Sequence, residues 1–249
     1  MNSNLPGLDP QNLELKKSAS VIEWGKTIVF APHPDDESLG CGGAIALLRE
    51  SDLPVKVITM SDGTLSHPNS RKFPAEKLRE LREKEMKDAL AILGVSDGAV
   101  RFLRYRDRLV PPENAAEFSS AVERIGNIFA AEKPQTVLAP WRRDPHPDHQ
   151  ATWQIVRAAM DYFAPAIRLI EYPIWLWEMA GENDLPTEEK VIAWRLDVEK
   201  VAGKKQSAIR AHVSQIRDLI DDDPQGFRLS AEVLEHFAAP FEVFLEEIK

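Results

Sequence analysis

Cysteine is almost absent from this chain. Cys41 stands alone among 249 residues, so no internal disulfide can form and no thiolate cluster can hold a metal. Flanked by Gly40 and Gly42, it reads as a small residue in a tight loop rather than as a nucleophile. Long apolar runs are missing too. None approaches the ~20 residues of a membrane-spanning helix. Met1 to Ser20 is polar and lacks the apolar centre of a secretory leader. The expectation is a cytoplasmic protein with no membrane span. Blocks of Lys and Arg are also lacking, and the net charge is −9. Such a chain is not expected to take a nucleic-acid backbone as its main partner, although a local basic patch is compatible with the sequence. What is present suits an ordinary globular protein: 43% hydrophobic and 29% charged residues, enough for one large core.

Residues 1–26 are polar and irregular, and are expected to form an N-terminal arm or an edge addition. Residues 27–249 are expected to form a single domain with a less regular C-terminal part. Short apolar runs at 27–30, 55–60, 100–103, 136–139 and 167–172 read as strands, with another at 191–198. Helices are expected from near Ser38 through Leu48, and over 75–93, 115–132, 149–162 and 200–220. Asp221-Asp222-Asp223-Pro224 reads as the charged end of the last helix. Strands alternating with helices predict an α/β fold, a mainly parallel sheet with helices on both faces. Ligands in such sheets sit outside the carboxyl ends of the strands.

Two proline-stiffened turns fall at that edge. Ala31-Pro32-His33-Pro34-Asp35-Asp36-Glu37-Ser38-Leu39-Gly40 follows the first strand, and Asp144-Pro145-His146-Pro147-Asp148-His149 follows the fourth. A lone His-Pro-Asp is commonly only a turn. An Asp-Asp-Glu run before an apolar helix is commonly a dipole partner. Glu37 and Ser38 are assigned to that duty, with Ser38 as N-cap. Two turns rich in imidazole and carboxylate, both ending strands of one sheet, favour a mononuclear metal site instead. A catalytic zinc takes three protein ligands and keeps one position for water. His33, Asp36 and His149 make such a set, leaving Asp35 and His146 free beside it.

His33-Pro34-Asp35-Asp36-Glu37-Ser38-Leu39-Gly40-Cys41-Gly42-Gly43, together with His146-Pro147-Asp148-His149, resembles the PIG-L/LmbE-like zinc-dependent N-deacetylases. The resemblance runs from about residue 27 to residue 215. Known members remove acetyl groups from N-acetylglucosamine units of glycolipids, thiol cofactors, antibiotics and small disaccharides. The resemblance implies a Rossmann-like fold with the metal on His33, Asp36 and His149. It implies Asp35 as general base and His146, oriented by Asp148, as oxyanion stabiliser or acid. An N-acetyl amide would then be cleaved by a metal-bound water. The implied partner is a small N-acylated substrate, an amino sugar or glycoconjugate. The implied cofactor is zinc (Zn2+), although iron (Fe2+) tolerates the same donors. Weaker matches are Ser61-Asp62-Gly63, Arg82 with Glu85, Asp107, and Lys205 through His212, Ser214 and Gln215. Arg82 is read as a helix-surface ion pair in the first instance.

Three other readings compete. Gly40-Cys41-Gly42-Gly43 has a dinucleotide-binding flavour, but Ile45 occupies the third glycine's place and six residues separate the glycines from the strand. Those glycines more simply let the first helix lie close to the sheet. A phosphoester hydrolase usually needs a second metal. A non-catalytic carbohydrate-binding relative would not need Asp35 and His146. Activity is expected to be bell-shaped, with an acidic limb from Asp35 together with the metal-bound water and a basic limb from His146. Selectivity is expected from loops 63–74, 104–114 and 173–188, where Trp175 and Trp177 are candidates to stack on a ring or to bury a flap.

Overall fold

The computed structural model describes residues 9–186 and 190–248. Its strands are β1 (Glu14–Lys16), β2 (Thr27–Ala31), β3 (Val55–Ser61), β4 (Val100–Tyr105), β5 (Thr136–Pro140), β6 (Arg168–Tyr172), β7 (Val191–Asp197) and β8 (Phe241–Glu247). The helices are α1 (Asp36–Glu50), α2 (Ala75–Ile92), α3 (Phe118–Glu132), α4 (Pro147–Phe163), α5 (Leu176–Met179), α6 (Ala202–Ala211), α7 (Val213–Ile216) and α8 (Ala231–His236). The strands form one sheet in the order β1-β7-β8-β6-β5-β2-β3-β4. All pairings are parallel except those of β8, which runs antiparallel to β6 and β7.

The central strand explains the layering. All five residues of β2 are buried, because the period of two sends them to two different cores. Val29 and Ala31 pack with residues of α1, α2 and α6, whereas Ile28 and Phe30 pack with those of α3 and α4. From β2 the chain winds one way through β3 and β4, then returns to place β5 on the other flank of β2. The switch in winding direction lies between β2 and β5, where open α/β sheets leave a crevice. Both His-Pro-Asp turns leave the carboxyl ends of these two strands.

Glycine permits α1 to lie close to the sheet. A Cβ on Gly40 would sit 2.3 Å from the Tyr172 ring, and one on Gly43 would sit 2.6 Å from Val198. Tyr172 cannot retreat, because its hydroxyl donates to the Phe30 carbonyl at 2.7 Å. Gly40→Ala is therefore expected to destabilise the fold by about 1–3 kcal/mol through overpacking. A urea melt with unchanged midpoint would contradict this close packing.

Several elements differ from the sequence reading. The helix expected over 200–220 is broken at His212, whose φ and ψ are −80° and 61°. Residues two apart on a straight helix do not share a face. The break lets both His212 and Ser214 turn inward, to Glu37 and Glu85. Asp222 and Asp223 do not end a helix. They accept hydrogen bonds from Asn69, Ser70, Arg71 and Lys72, and so fasten the 63–74 loop. Strand β8 has no counterpart in the sequence reading. Of the expected arm, residues 1–8 lie outside the described residues. The remainder supplies the edge strand β1 and a 3-10 helix that buries Val21 and Trp24, with Trp24 against Trp194 and Phe244. Among the described residues no helix is long and apolar enough to cross a membrane.

Candidate metal centre

The turn after β2 places two adjacent aspartates differently. Asp36 opens α1, so Ser38 is not the N-cap; Asp35 holds that position. Ser38 lies inside the first turn and donates to Glu37 Oε1 at 2.6 Å. Asp35 has a φ of 147°, a conformation that costs a non-glycine residue about 1–3 kcal/mol. Its N–H donates to Glu37 Oε2 at 3.0 Å, and its carboxylate accepts from Arg82 Nη2 at 3.2 Å. Arg82 is not the expected surface ion pair. It is buried and also donates to the carbonyls of Pro34 and Gly63. Glu85, its neighbour in the sequence pattern, instead binds Ser214.

Three donor atoms from the two turns meet. Asp36 Oδ2 lies 3.2 Å from His33 Nδ1 and 3.3 Å from His149 Nε2. The two nitrogens are 3.3 Å apart. Tetrahedral donors at zinc-like bond lengths are separated by about 3.4 Å, so the triangle has the size that one small divalent cation requires. The donor types, two imidazoles and a carboxylate, suit zinc or iron(II). His146 stands nearby, with a ring nitrogen within 4.8 Å of nitrogens of His33 and His149.

Carboxylates back both imidazoles, as partners of metal-ligating histidines do. His33 Nε2 lies 3.1 Å from Asp148 Oδ2 and 3.5 Å from Asp107 Oδ1. His149 Nδ1 lies 3.1 Å from Asp144 Oδ1. The other Asp144 oxygen accepts from the Ile174 and Trp175 N–H groups at 2.7 and 3.0 Å. Asp144 thus joins the centre to the Trp175 loop, a part for which the sequence reading had no assignment although the residue lies inside the second turn. Asp148 differs from expectation. Its carboxylate faces His33 and accepts from the Arg108 and Val110 N–H groups. His146 is held by the Asp148 backbone instead, whose N–H donates to His146 Nδ1 at 3.2 Å. The reason is positional: His146 caps α4, so its ring folds over the first turn and meets peptide N–H groups.

The electrostatics separate these groups. Burial alone would raise the Asp36 carboxyl, but the imidazoles of His149 and His33 hold it well below the carboxylate range. Burial would lower His149, yet Asp36 and Asp144 push it up to about 9. Burial likewise opposes protonation of His33, and its contacts with Asp107, Asp148 and Asp36 overcome it, raising it well above the ordinary value. Burial raises Asp35 to about 6, with Arg82 opposing. His146 goes the other way: burial, then the charges of His33 and His149, lower it to about 3. It is neutral at physiological pH, with its proton on Nε2 because Nδ1 is an acceptor. A divalent cation at the triangle would keep it so. That direction runs against the expected basic limb from His146.

His33, Asp35, Asp36 and His146 line one cavity of about 220 Å³, walled by Leu39, Trp175 and Phe227. Trp175 stands edge-on to Phe227 at 5.7 Å, a pairing that no sequence pattern announces. Trp177 faces elsewhere. It stacks on His236 beside a larger cavity of about 350 Å³ that holds none of the three donors. Asp107 and Gln215 reach the smaller cavity, whereas Lys205 is buried against Glu242 at 2.8 Å and does not. Residues 187–188 of the expected selectivity loop lie outside the described residues. A second donor group, His33 with Asp107 and Asp148, shares His33 with the first. The described residues therefore offer no independent second ion the place that two-metal phosphoester hydrolysis uses.

Residues 28–160 match the sequence profile of the family described as PIG-L: GlcNAc-PI de-N-acetylase. The chain is 29% identical over 191 residues to a probable N-acetyl-alpha-D-glucosaminyl L-malate deacetylase 2 of Bacillus anthracis, covering 76% of this chain and 80% of that one. It is 30% identical over 230 residues to a 1D-myo-inositol 2-acetamido-2-deoxy-alpha-D-glucopyranoside deacetylase of Actinosynnema mirum, covering 77% and 81%. Its fold is similar to that of N,N'-diacetylchitobiose deacetylase from Pyrococcus horikoshii, with a TM-score of 0.64 at 24% identity, covering 86% of this chain and 76% of that one.

Proposed function

The chain belongs to the PIG-L: GlcNAc-PI de-N-acetylase family, and from that premise we propose that it is a zinc-dependent N-deacetylase of a small N-acetylated amino sugar or glycoconjugate. The observation that carries this reading is the triangle of His33 Nδ1, Asp36 Oδ2 and buried His149 Nε2, two members of which, His33 and Asp36, line one cavity with Asp35 and His146. When bound, zinc supplies Lewis acidity toward an amide carbonyl and toward water.

The remaining work falls to the chain's own side chains. Asp35, at about 6, is ionised at neutral pH and takes the proton from the attacking water. The same value lets it return that proton to the leaving nitrogen as the C–N bond breaks. His146 is neutral and carries its proton on Nε2, so it donates to the carbonyl oxygen as negative charge develops there. Asp148 acts through His33, whose ring it holds by a hydrogen bond, and Asp144 places its charge 3.1 Å from His149 Nδ1. Leu39, Trp175 and Phe227 give the cavity an apolar wall beside the reacting amide.

The test is acetate release from a panel of N-acetylated amino sugars, read with zinc content. The zinc-loaded protein is expected to release acetate and the zinc-stripped protein is not. Equal activity with and without zinc would remove the metal from the reading, and no release from any member of the panel would remove the deacetylase. The two histidines of the second turn divide the labour. His146→Ala is expected to lower kcat by about 100-fold with zinc retained, and His149→Ala to lose zinc. Equal zinc loss from both variants would reverse that division.

A further inference from the structure

Asp35 is held at both ends. Arg82 fixes its carboxylate and the preceding carbonyl of Pro34. Glu37 fixes its N–H. Glu37 is itself fully buried, and its other oxygen, Oε1, accepts from Ser38 Oγ at 2.6 Å and lies 3.1 Å from His212 Nε2. His212 comes from the break between α6 and α7, 175 residues along the chain. It is buried, and among the described residues its Nδ1 has no partner. None of these groups except Asp35 and Arg82 lines the cavity, so chemistry at the amide does not explain a buried ion pair between Glu37 and His212.

The geometry of Asp35 and Asp36 does. Neighbouring residues of a regular helix or strand point in divergent directions. Yet Asp35 and Asp36 both open into one cavity. The φ of 147° at Asp35 is the kink that brings both carboxylates to the same side. A strained residue persists only where its surroundings over-determine it. Glu37 accepts the N–H that this kink turns inward, and His212 holds Glu37 in place. We propose that Glu37 and His212 are positioning residues that keep Asp35 in the strained conformation from which its carboxylate faces the amide. This rests on the deacetylase reading for its role in turnover, and on the contacts alone for its role in geometry.

The zinc-loaded enzyme, assayed on its fastest N-acetylated amino sugar, tests the role. His212→Ala is expected to lower kcat by about 100-fold, the scale of a small misplacement of a reacting group. KM and zinc content are expected to stay as in wild type. His212→Asn, whose side-chain amide can donate to Glu37, is expected to recover most of that loss. In an Asp35→Asn background, His212→Ala is expected to change kcat by less than about threefold, because two changes acting through one group are not additive. Glu37→Ala, which removes both oxygens, is expected to show the same kcat-only loss and serves if His212→Ala does not fold. Equal losses in both backgrounds, or loss of zinc, would overturn the proposal. If wild type releases no acetate, the deacetylase reading fails while the geometry remains testable. A crystal structure of His212→Ala, or of Glu37→Ala, with Asp35 relaxed to negative φ supports the proposal. One with Asp35 unchanged overturns it.

Discussion

Asp35→Asn is expected to lower kcat by about three orders of magnitude and, at the same time, to raise the melting temperature of the metal-free protein. The two effects have one cause. A buried carboxyl raised from 3.8 to about 6 is less comfortable ionised in the fold than in the unfolded chain. The folded state then binds more protons than the unfolded state between those values, so stability falls as pH rises from about 4 through 6. At neutral pH the loss is on the order of 2–3 kcal/mol. Asparagine keeps an oxygen for Arg82 and removes the charge. The stability gap between variant and wild type is therefore expected to open between pH 4 and 6 and stay open above. Thermal melts across that range measure it. A variant less stable than wild type at pH 7.5 would mean that the Arg82–Asp35 pair outweighs burial. Stability gained with function lost is the usual exchange at a strained functional residue.

The strands and the two turns were legible because their chemistry is local. Five apolar runs alternate with amphipathic segments, and each His-Pro-Asp turn follows such a run within a few residues. The triangle of His33, Asp36 and His149 could be anticipated from the donor types. The direction in which each ring is backed could not. Asp148 is adjacent to His149 and two residues from His146, yet its carboxylate faces His33, 115 residues away. That pairing depends on β2 and β5 being neighbours and on the peptide N–H groups of Arg108 and Val110 arriving from a third segment. His212 was visible in the sequence as part of a helical pattern. Its contact with Glu37 requires the helix to break, and a local pattern carries no record of a break imposed by inward hydrogen bonds. Strand β8 was missed for the same reason. Phe241–Glu247 becomes a strand by pairing antiparallel with β7 and β6, and its pattern alone does not distinguish it from an amphipathic tail.

Zinc affinity is expected to fall steeply as pH falls, by up to about tenfold per pH unit for each imidazole that must give up a proton. In the metal-free protein His149 titrates at about 9 and His33 well above its ordinary value. Their facing nitrogens, 3.3 Å apart, share a proton with Asp36 rather than each carrying one, and the proton held there must leave before a cation binds. Calorimetric titration in two buffers of different ionisation enthalpy is expected to register release of at least one proton per zinc at pH 7. The linked stability runs in the opposite sense without metal. A histidine raised in the fold contributes stability that is complete below about 6.5 and lost as pH rises through its folded value, here about 9 for His149. The stabilisation conferred by saturating zinc is therefore expected to be larger at pH 9 than at pH 6.5. Zinc binding without proton release, or a zinc-induced rise in melting temperature independent of pH, would mean that the imidazoles are neutral before the ion arrives. The exchange has a simple logic. Proton charge held between the imidazoles and Asp36 leaves as divalent charge enters, so the centre stays positive. The carboxylates of Asp36, Asp144 and Asp148 face positive charge in either state, and the turns that carry them have no electrostatic reason to move when the metal binds.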